Sequence, residues 1–219
     1  MVECCIFDLD GTLLYTLDSI TYHLNKTLSS EGYGEITVDD TKIFIGDGAR
    51  LLVKRALEKN GVMDDEVLNR VLKKYNKAYN DDPIPYTEYY EGIQELVDSL
   101  VASGVKLCVV TNKPEVTARQ LVAHFLPDRF SLVYGGRDGA ILKPDPSDTL
   151  RAIHELGVEV KKTAFIGDTS VDIKTAKNAG VGISVGVSWG FRERDELVNA
   201  GADFVADAPL DIIPELEKI

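Results

Sequence analysis

With 219 residues, the chain is long enough for one large domain or for a core domain carrying a smaller one. Its net charge of −12 argues against non-specific contact with nucleic acid or an anionic membrane, and no apolar stretch approaches the length of a membrane span. An anionic small molecule stays compatible with that charge, because a metal ion and one or two lysines reverse the local potential. Cys4, Cys5 and Cys108 lack metal-ligand spacing and fall in apolar runs, as expected for reduced core residues of a cytoplasmic protein. Met1 leads directly into a predicted strand rather than a signal peptide.

Val2 to Phe7 is a continuous apolar run suited to an inner strand of a parallel sheet, and it ends in Asp8-Leu9-Asp10-Gly11-Thr12. In open α/β sheets the ligand crevice lies beyond the carboxyl ends of the strands, where Asp8 and Asp10 fall. On an extended chain the two share a face, and carboxylates that close repel unless a cation sits between them. Gly11 permits a sharp turn, and Thr12 adds a hydroxyl. By itself this pentapeptide is also an ordinary turn with a capping aspartate.

Beyond Leu13 the pattern becomes helical. Asp18 and Ser19 are expected N-caps for a stripe of Ile20, Leu24 and Leu28 that ends at Gly32 and Gly34. A short segment, Thr37 to Ile45, and the turn Gly46-Asp47-Gly48 precede a helix with Leu51, Leu52, Val53, Ala56 and Leu57 inward, closed by Asn60-Gly61. Another helix from Asp64 or Asp65 carries Val67, Leu68, Val71, Leu72, Tyr75 and Tyr79, and two prolines end it at Pro83-Ile84-Pro85. From Tyr90 onward helix and strand alternate. Strands are expected at 105–110, 130–134, 163–166, 182–187 and 203–205, and helices at 93–102, 115–125, 147–156, 171–179, 194–199 and 210–217. Short connections in such an alternation imply right-handed crossovers and a doubly wound parallel sheet, a Rossmann-like α/β core. The all-helical stretch 15–84 is then a cap domain inserted into a core made of 1–14 and 85–219.

Three further polar signatures stand at or beside strand ends: Thr111-Asn112-Lys113-Pro114, Lys143-Pro144-Asp145-Pro146 and Gly167-Asp168-Thr169-Ser170-Val171-Asp172. In a parallel sheet they share one edge with Asp8 and Asp10. These motifs, in this order, resemble those of the haloacid dehalogenase-like hydrolases, and within them the phosphoglycolate phosphatase-like group. The resemblance implies that Asp8 is a nucleophile forming an aspartyl phosphate, and that Asp10 is the acid and base for leaving group and water. It further implies Mg²⁺ held by the Asp8 carboxylate, the Asp10 backbone carbonyl and Asp168, with Asp172 ligating directly or through water. Thr111 and N–H groups near Asn112 would bond the phosphate oxygens, and Lys143 would neutralise phosphate and nucleophile. Lys113 either orients the loop or faces solvent.

Asp10 fits phosphate chemistry, because a halide leaving group needs no proton. Gly167-Asp168 is similar to the phosphatase version of the fourth motif, whereas the related sugar phosphomutases usually carry a glutamate there. Ile45-Gly46-Asp47-Gly48-Ala49 resembles the cap turn of phosphoglycolate phosphatases. Free N–H groups at Gly46 and Gly48, and the side chain of Arg50 or Lys54, are candidates for holding a substrate carboxylate. Tyr15-Thr16 departs from the group, which commonly has Asp followed by Ser or Thr. His23, His124, His154 and Trp189 are expected to pack, and Tyr86, Tyr89 and Tyr90 to line a hinge near 14–16 and 84–86. The partner implied is a small phosphate ester, handled by a monomer or homodimer in the cytoplasm. Pyrophosphate, nucleotides and sugar phosphates are the alternative substrates, and a phosphoryl-binding protein without turnover is the non-enzymatic one.

Overall fold

The computed structural model of the chain describes residues 2–218. β1 (Cys4–Phe7) leads through a tight turn into the short β2 (Leu14–Tyr15), and four helices follow: α1 (Leu17–Ser30), α2 (Val38–Phe44), α3 (Ala49–Lys59) and α4 (Asp65–Asp81). β3 (Glu88–Tyr89) pairs antiparallel with β2, so the two crossings between the helical segment and the rest are zipped together. The alternating part comprises α5 (Ile93–Ala102), β4 (Lys106–Pro114), α6 (Glu115–Phe125), β5 (Leu132–Gly136), α7 (Ser147–Leu156), β6 (Thr163–Gly167), α8 (Ser170–Ala179), β7 (Ile183–Val187), α9 (Arg194–Asn199), β8 (Phe204–Ala206) and α10 (Ile212–Leu216).

The main sheet is wholly parallel, in the order β5-β4-β1-β6-β7-β8. Strand alternation splits its side chains between two layers. Cys5, Phe7, Val109 and Ile166 face α5, α6 and α10, while Cys4, Ile6, Cys108 and Phe165 face α7 and α8. All three cysteines are buried and free. After β1 the chain builds β4 and β5 on one side, then returns to build β6, β7 and β8 on the other. The tip of β1 is therefore the topological switch point, where an open α/β sheet leaves a crevice. Among the described residues no helix is long and apolar enough to cross a membrane.

Helices α1 to α4 enclose their own apolar cluster, from Leu17, Leu24 and Leu28 to Val53, Leu57, Val71 and Tyr79. One residue from the alternating part joins it: Phe191, in the loop after β7, is 5% exposed and packs edge-on to Tyr15. Truncating a buried aromatic removes transfer free energy and leaves a cavity, so Phe191→Ala is expected to cost about 3–5 kcal/mol, read as a lower urea midpoint.

Several local expectations need correcting. α1 starts at Leu17, with Thr16 rather than Asp18 or Ser19 as its N-cap; the Thr16 hydroxyl makes no cap bond because it is used elsewhere. Segment 37–45 carries α2, whose seven residues are too few to display a periodic stripe but which a Thr37–Asp40 capping box starts. The expected last helix divides into a 3₁₀ turn (Pro209–Asp211) and α10, as Pro214 interrupts the backbone bonding. β4 does not stop at Val110. It continues to Pro114 through an irregularity in which Val110 pairs with Tyr134 and Pro114 with Gly136, so β4 holds two more residues than β5 over that interval.

Candidate active site

The turn after β1 is built on buried leucines. Leu9, Leu13 and Leu14 are fully buried, and the N–H groups of Leu13 and Leu14 donate to the Leu9 carbonyl at 3.0 and 3.1 Å. Gly11 sits at φ +85°, and any side chain there would collide with the Asp168 carboxylate. The turn lifts Asp8 and Asp10 from the sheet edge, while the Asp8 N–H still bonds the Ile166 carbonyl at 2.9 Å.

Asp8, Asp168 and Asp172 offer carboxylate oxygens within 4.8 Å of one another, all buried. Lys143 is the ammonium among them, 2.9 Å from Asp8 Oδ1 and 2.7 Å from Asp172 Oδ1. The Asp8 contact is an ion pair off hydrogen-bond geometry, which leaves Oδ1 without a hydrogen-bond partner. The other carboxylates are held in place. Asp168 accepts from the Phe191 N–H at 2.8 Å and from the Thr12 hydroxyl at 3.2 Å. Asp172 accepts from the N–H and hydroxyl of Thr169 in a capping box that starts α8.

Three buried carboxylates against one ammonium are short of positive charge. Burial pushes the Asp8 carboxyl up to about 6, with Lys143 opposing and Asp172 and Asp10 adding to the rise. Burial, then Asp172 and Asp8, push Asp168 well above the carboxylate range. Burial alone would lower the Lys143 ammonium, but Asp172 and Asp8 together outweigh it and raise it. A donor set made only of oxygens, with excess negative charge and an Asp8 Oδ1 that accepts no hydrogen bond, fits a hard divalent cation.

The irregular end of β4 supplies the facing wall. Thr111, Asn112 and Lys113 are all buried, and all line a cavity of about 60 Å³ with Asp8, Asp10 and Lys143. The Asn112 side chain is spent on architecture: it accepts from the Lys143 N–H at 2.8 Å and donates to the Lys143 and Gly46 carbonyls at 3.1 and 3.0 Å. It ties the Lys143 loop to the turn before α3. Gly46, Gly48 and Ala49 of that turn line the cavity from the helical side. Gly48 has φ +88°, and a Cβ there would stand 2.9 Å from Leu142.

Arg50 does not join this site, correcting the expectation that it could hold a substrate carboxylate. One position along a helix turns the side chain by about 100°, so with Ala49 facing the cavity Arg50 points along the flank. Its guanidinium donates to Asn69 at 2.6 Å and lies 3.7 Å from Asp65, and its side chain is 53% exposed. Lys54 pairs with Glu58 on the same outer surface.

Five further residues contribute to which the sequence assigns no definite role in the site. Lys113, far from facing solvent, donates to Asp10 Oδ1 and Oδ2 at 2.9 and 3.2 Å and to the Tyr79 hydroxyl at 2.8 Å. Thr16, at the point where the sequence departs from its group, donates to Asp10 Oδ1 at 2.7 Å. Tyr79 comes from the last turn of α4. Arg192 reaches from the loop after β7 to the Lys42 and Ile45 carbonyls at 2.5 and 2.9 Å, tying that loop to the end of α2. Trp189 in the same loop braces the turn after β1 by donating to the Thr12 carbonyl at 3.0 Å.

A family profile described as haloacid dehalogenase-like hydrolase matches residues 5–185. The chain belongs to that family. A phosphoglycolate phosphatase of Rhodospirillum rubrum is 37% identical over 94% of this chain and 88% of its own length. One from Aquifex aeolicus is 31% identical over 97% and 96% respectively. A crystal structure from Lactobacillus delbrueckii subsp. bulgaricus, provisionally assigned as a phosphoglycolate phosphatase, superposes with a TM-score of 0.90 at 32% identity, covering 99% of both chains. The chain is thus an enzyme, a hydrolase of the phosphoglycolate phosphatase-like group.

Proposed function

We propose that the enzyme is a Mg²⁺-dependent phosphomonoesterase that hydrolyses 2-phosphoglycolate through an aspartyl-phosphate intermediate in the cytoplasm. The observation that carries the chemistry is the buried Asp8–Lys143–Asp172–Asp168 cluster, one cation short of balance, at the sheet's switch point. Relatives named for phosphoglycolate, matched along nearly the whole chain, support the substrate.

Asp8, the Asp10 backbone carbonyl and Asp168 would hold the ion, with Asp172 joining directly or through water. Once bound, Mg²⁺ screens nucleophile from phosphate and offsets charge on the equatorial oxygens. Asp8 attacks phosphorus, the P–O ester bond breaks, and Asp10 gives its proton to the leaving oxygen. Asp10 then takes a proton from water, whose oxygen attacks the phosphorus of the aspartyl phosphate and releases Asp8 and inorganic phosphate. Lys143 and the Thr111 hydroxyl face the transferring group, and Asn112 keeps Lys143 in place. Residues 15–84 act as a cap on the core of 1–14 and 85–219, hinged at the paired β2 and β3 crossings, and cap closure excludes water from the intermediate. Gly46 and Gly48 line the cavity from that cap, and their N–H groups would bond the substrate's carboxylate.

The test is phosphate release with Mg²⁺ from 2-phosphoglycolate, pyrophosphate, nucleoside monophosphates and sugar phosphates, compared as kcat/KM. The expected result is a lead for 2-phosphoglycolate of more than about tenfold, ~1.4 kcal/mol in transition-state binding. A comparable or better rate on another ester would reject the substrate while leaving the phosphatase chemistry in place.

A further inference from the structure

Lys113 is a buried cation that the hydrolytic scheme leaves without a task. Its side chain is 2% exposed, and its ammonium lies 4.4 Å from the centre of the Tyr79 ring. Among the described residues its side-chain ammonium donates to both oxygens of Asp10 and to the Tyr79 hydroxyl. Asp10 Oδ1 takes a further bond from Thr16. Three hydrogen bonds latch Asp10 in this position, and moving it onto the ester oxygen of a substrate breaks them. For Asp10 to act, Lys113 has to release it, and a buried ammonium stripped of its anion is costly unless another takes its place.

Substrate chemistry supplies that replacement. In 2-phosphoglycolate one methylene separates the carboxylate from the ester oxygen that Asp10 must protonate. A cation touching Asp10 is therefore within reach of the carboxylate by construction. The other cations lining the cavity are already committed, Lys143 to Asp8 and Asp172, and Arg192 to two backbone carbonyls. Of these three cations, Lys113 is the one paired with Asp10.

We propose that Lys113 is the receptor for the substrate's carboxylate, and that its transfer from Asp10 to that carboxylate frees Asp10 for proton transfer. No covalent bond changes in this exchange; one ion pair replaces another. Substrates carrying an anion next to the ester carbon unlatch the acid, and neutral esters of the same size do not. This rests on the phosphatase reading above, and it assigns to Lys113 the specificity role that Arg50 is badly placed to fill.

The experiment compares kcat/KM for 2-phosphoglycolate and for 2-hydroxyethyl phosphate, which has a neutral hydroxymethyl group in place of the carboxylate. Wild type, Lys113→Met and Lys113→Arg are assayed with Mg²⁺, after thermal melts confirm that each is folded. Wild type is expected to prefer 2-phosphoglycolate by about 100-fold or more. Lys113→Met is expected to cut that preference at least about 30-fold, whatever its effect on the neutral ester, and Lys113→Arg to keep most of it. A preference in wild type that survives in Lys113→Met, with both substrates slowed by the same factor, overturns the assignment and leaves Lys113 as a support for Asp10. A wild-type enzyme active on other esters but indifferent between these two rejects the phosphoglycolate reading, and the Lys113 assignment with it.

Discussion

Asp8→Asn is expected to abolish phosphate release, by about 10⁴-fold or more, without loss of the fold. Removing a covalent nucleophile eliminates the reaction path rather than weakening one contact, so losses of that order are usual. The substitution is close to isosteric, and the main-chain bond from residue 8 to Ile166 is unaffected by it. Lys143 keeps Asp172 as its partner at 2.7 Å, so no buried ammonium is stranded. The variant also removes one of three crowded buried carboxylates. In the absence of metal it should therefore melt no lower than wild type at pH 8, and dead activity would coincide with undiminished stability. Phosphate release that persists above about one hundredth of the wild-type rate would place the nucleophile elsewhere. A phosphoryl-binding protein without turnover is ruled out by the wild-type half of the same assay.

The second large effect links pH, metal and stability. Burial raises the folded-state Asp8 carboxyl from 3.8 to about 6, and Asp168 is raised further in the same direction. A carboxyl raised on folding keeps its proton in the native state after the unfolded chain has lost it. Unfolding then releases protons, and stability falls as pH rises from the unfolded value of about 4 through the folded value of about 6. For Asp8 alone the loss is on the order of 3 kcal/mol at ~1.36 kcal/mol per pH unit, and Asp168 adds to it. Urea unfolding in EDTA is expected to give a markedly lower stability at pH 8 than at pH 5. A cation that binds only the native cluster reverses this, so saturating Mg²⁺ should recover most of the deficit at pH 8 and little at pH 5. Stability that is flat in pH and indifferent to Mg²⁺ would show that the cluster is not a cation site.

Much of the core could be read from the chain because local patterns and global topology agree there. Glu115–Phe125 and Ser147–Leu156 appear with the bounds that their apolar spacing indicates, and the alternation after Tyr90 yields the parallel sheet. Asp8, Thr111, Lys143, Asp168 and Asp172 come together because parallel strands place their ends on one edge, a consequence of topology that needs no side-chain detail. What escaped reading depends on geometry finer than strand or helix period. The irregularity in β4 adds Lys113 to the cavity wall beside Thr111 and Asn112, and no alternation rule forecasts a two-residue excess. The departure from the group at Tyr15 says nothing of the neighbouring Thr16, whose hydroxyl, diverted from helix capping, donates to Asp10. Arg50 was placed by its proximity to a glycine turn, although a 100° step from Ala49 carries it off the cavity. Phe191 and Arg192 lie about 150 residues from the segments they hold, a distance that spacing arguments do not span.

The central claim is that phosphorus passes through Asp8. The direct measurement is a single-turnover reaction with 2-phosphoglycolate and Mg²⁺, quenched in acid within milliseconds, reduced with borohydride and read by peptide mass spectrometry. An acyl phosphate on Asp8 is reduced to homoserine, so the predicted result is homoserine at position 8, absent when substrate is omitted and absent in Asp8→Asn. Phosphate release at full rate with Asp8 unmodified throughout the time course would contradict the account.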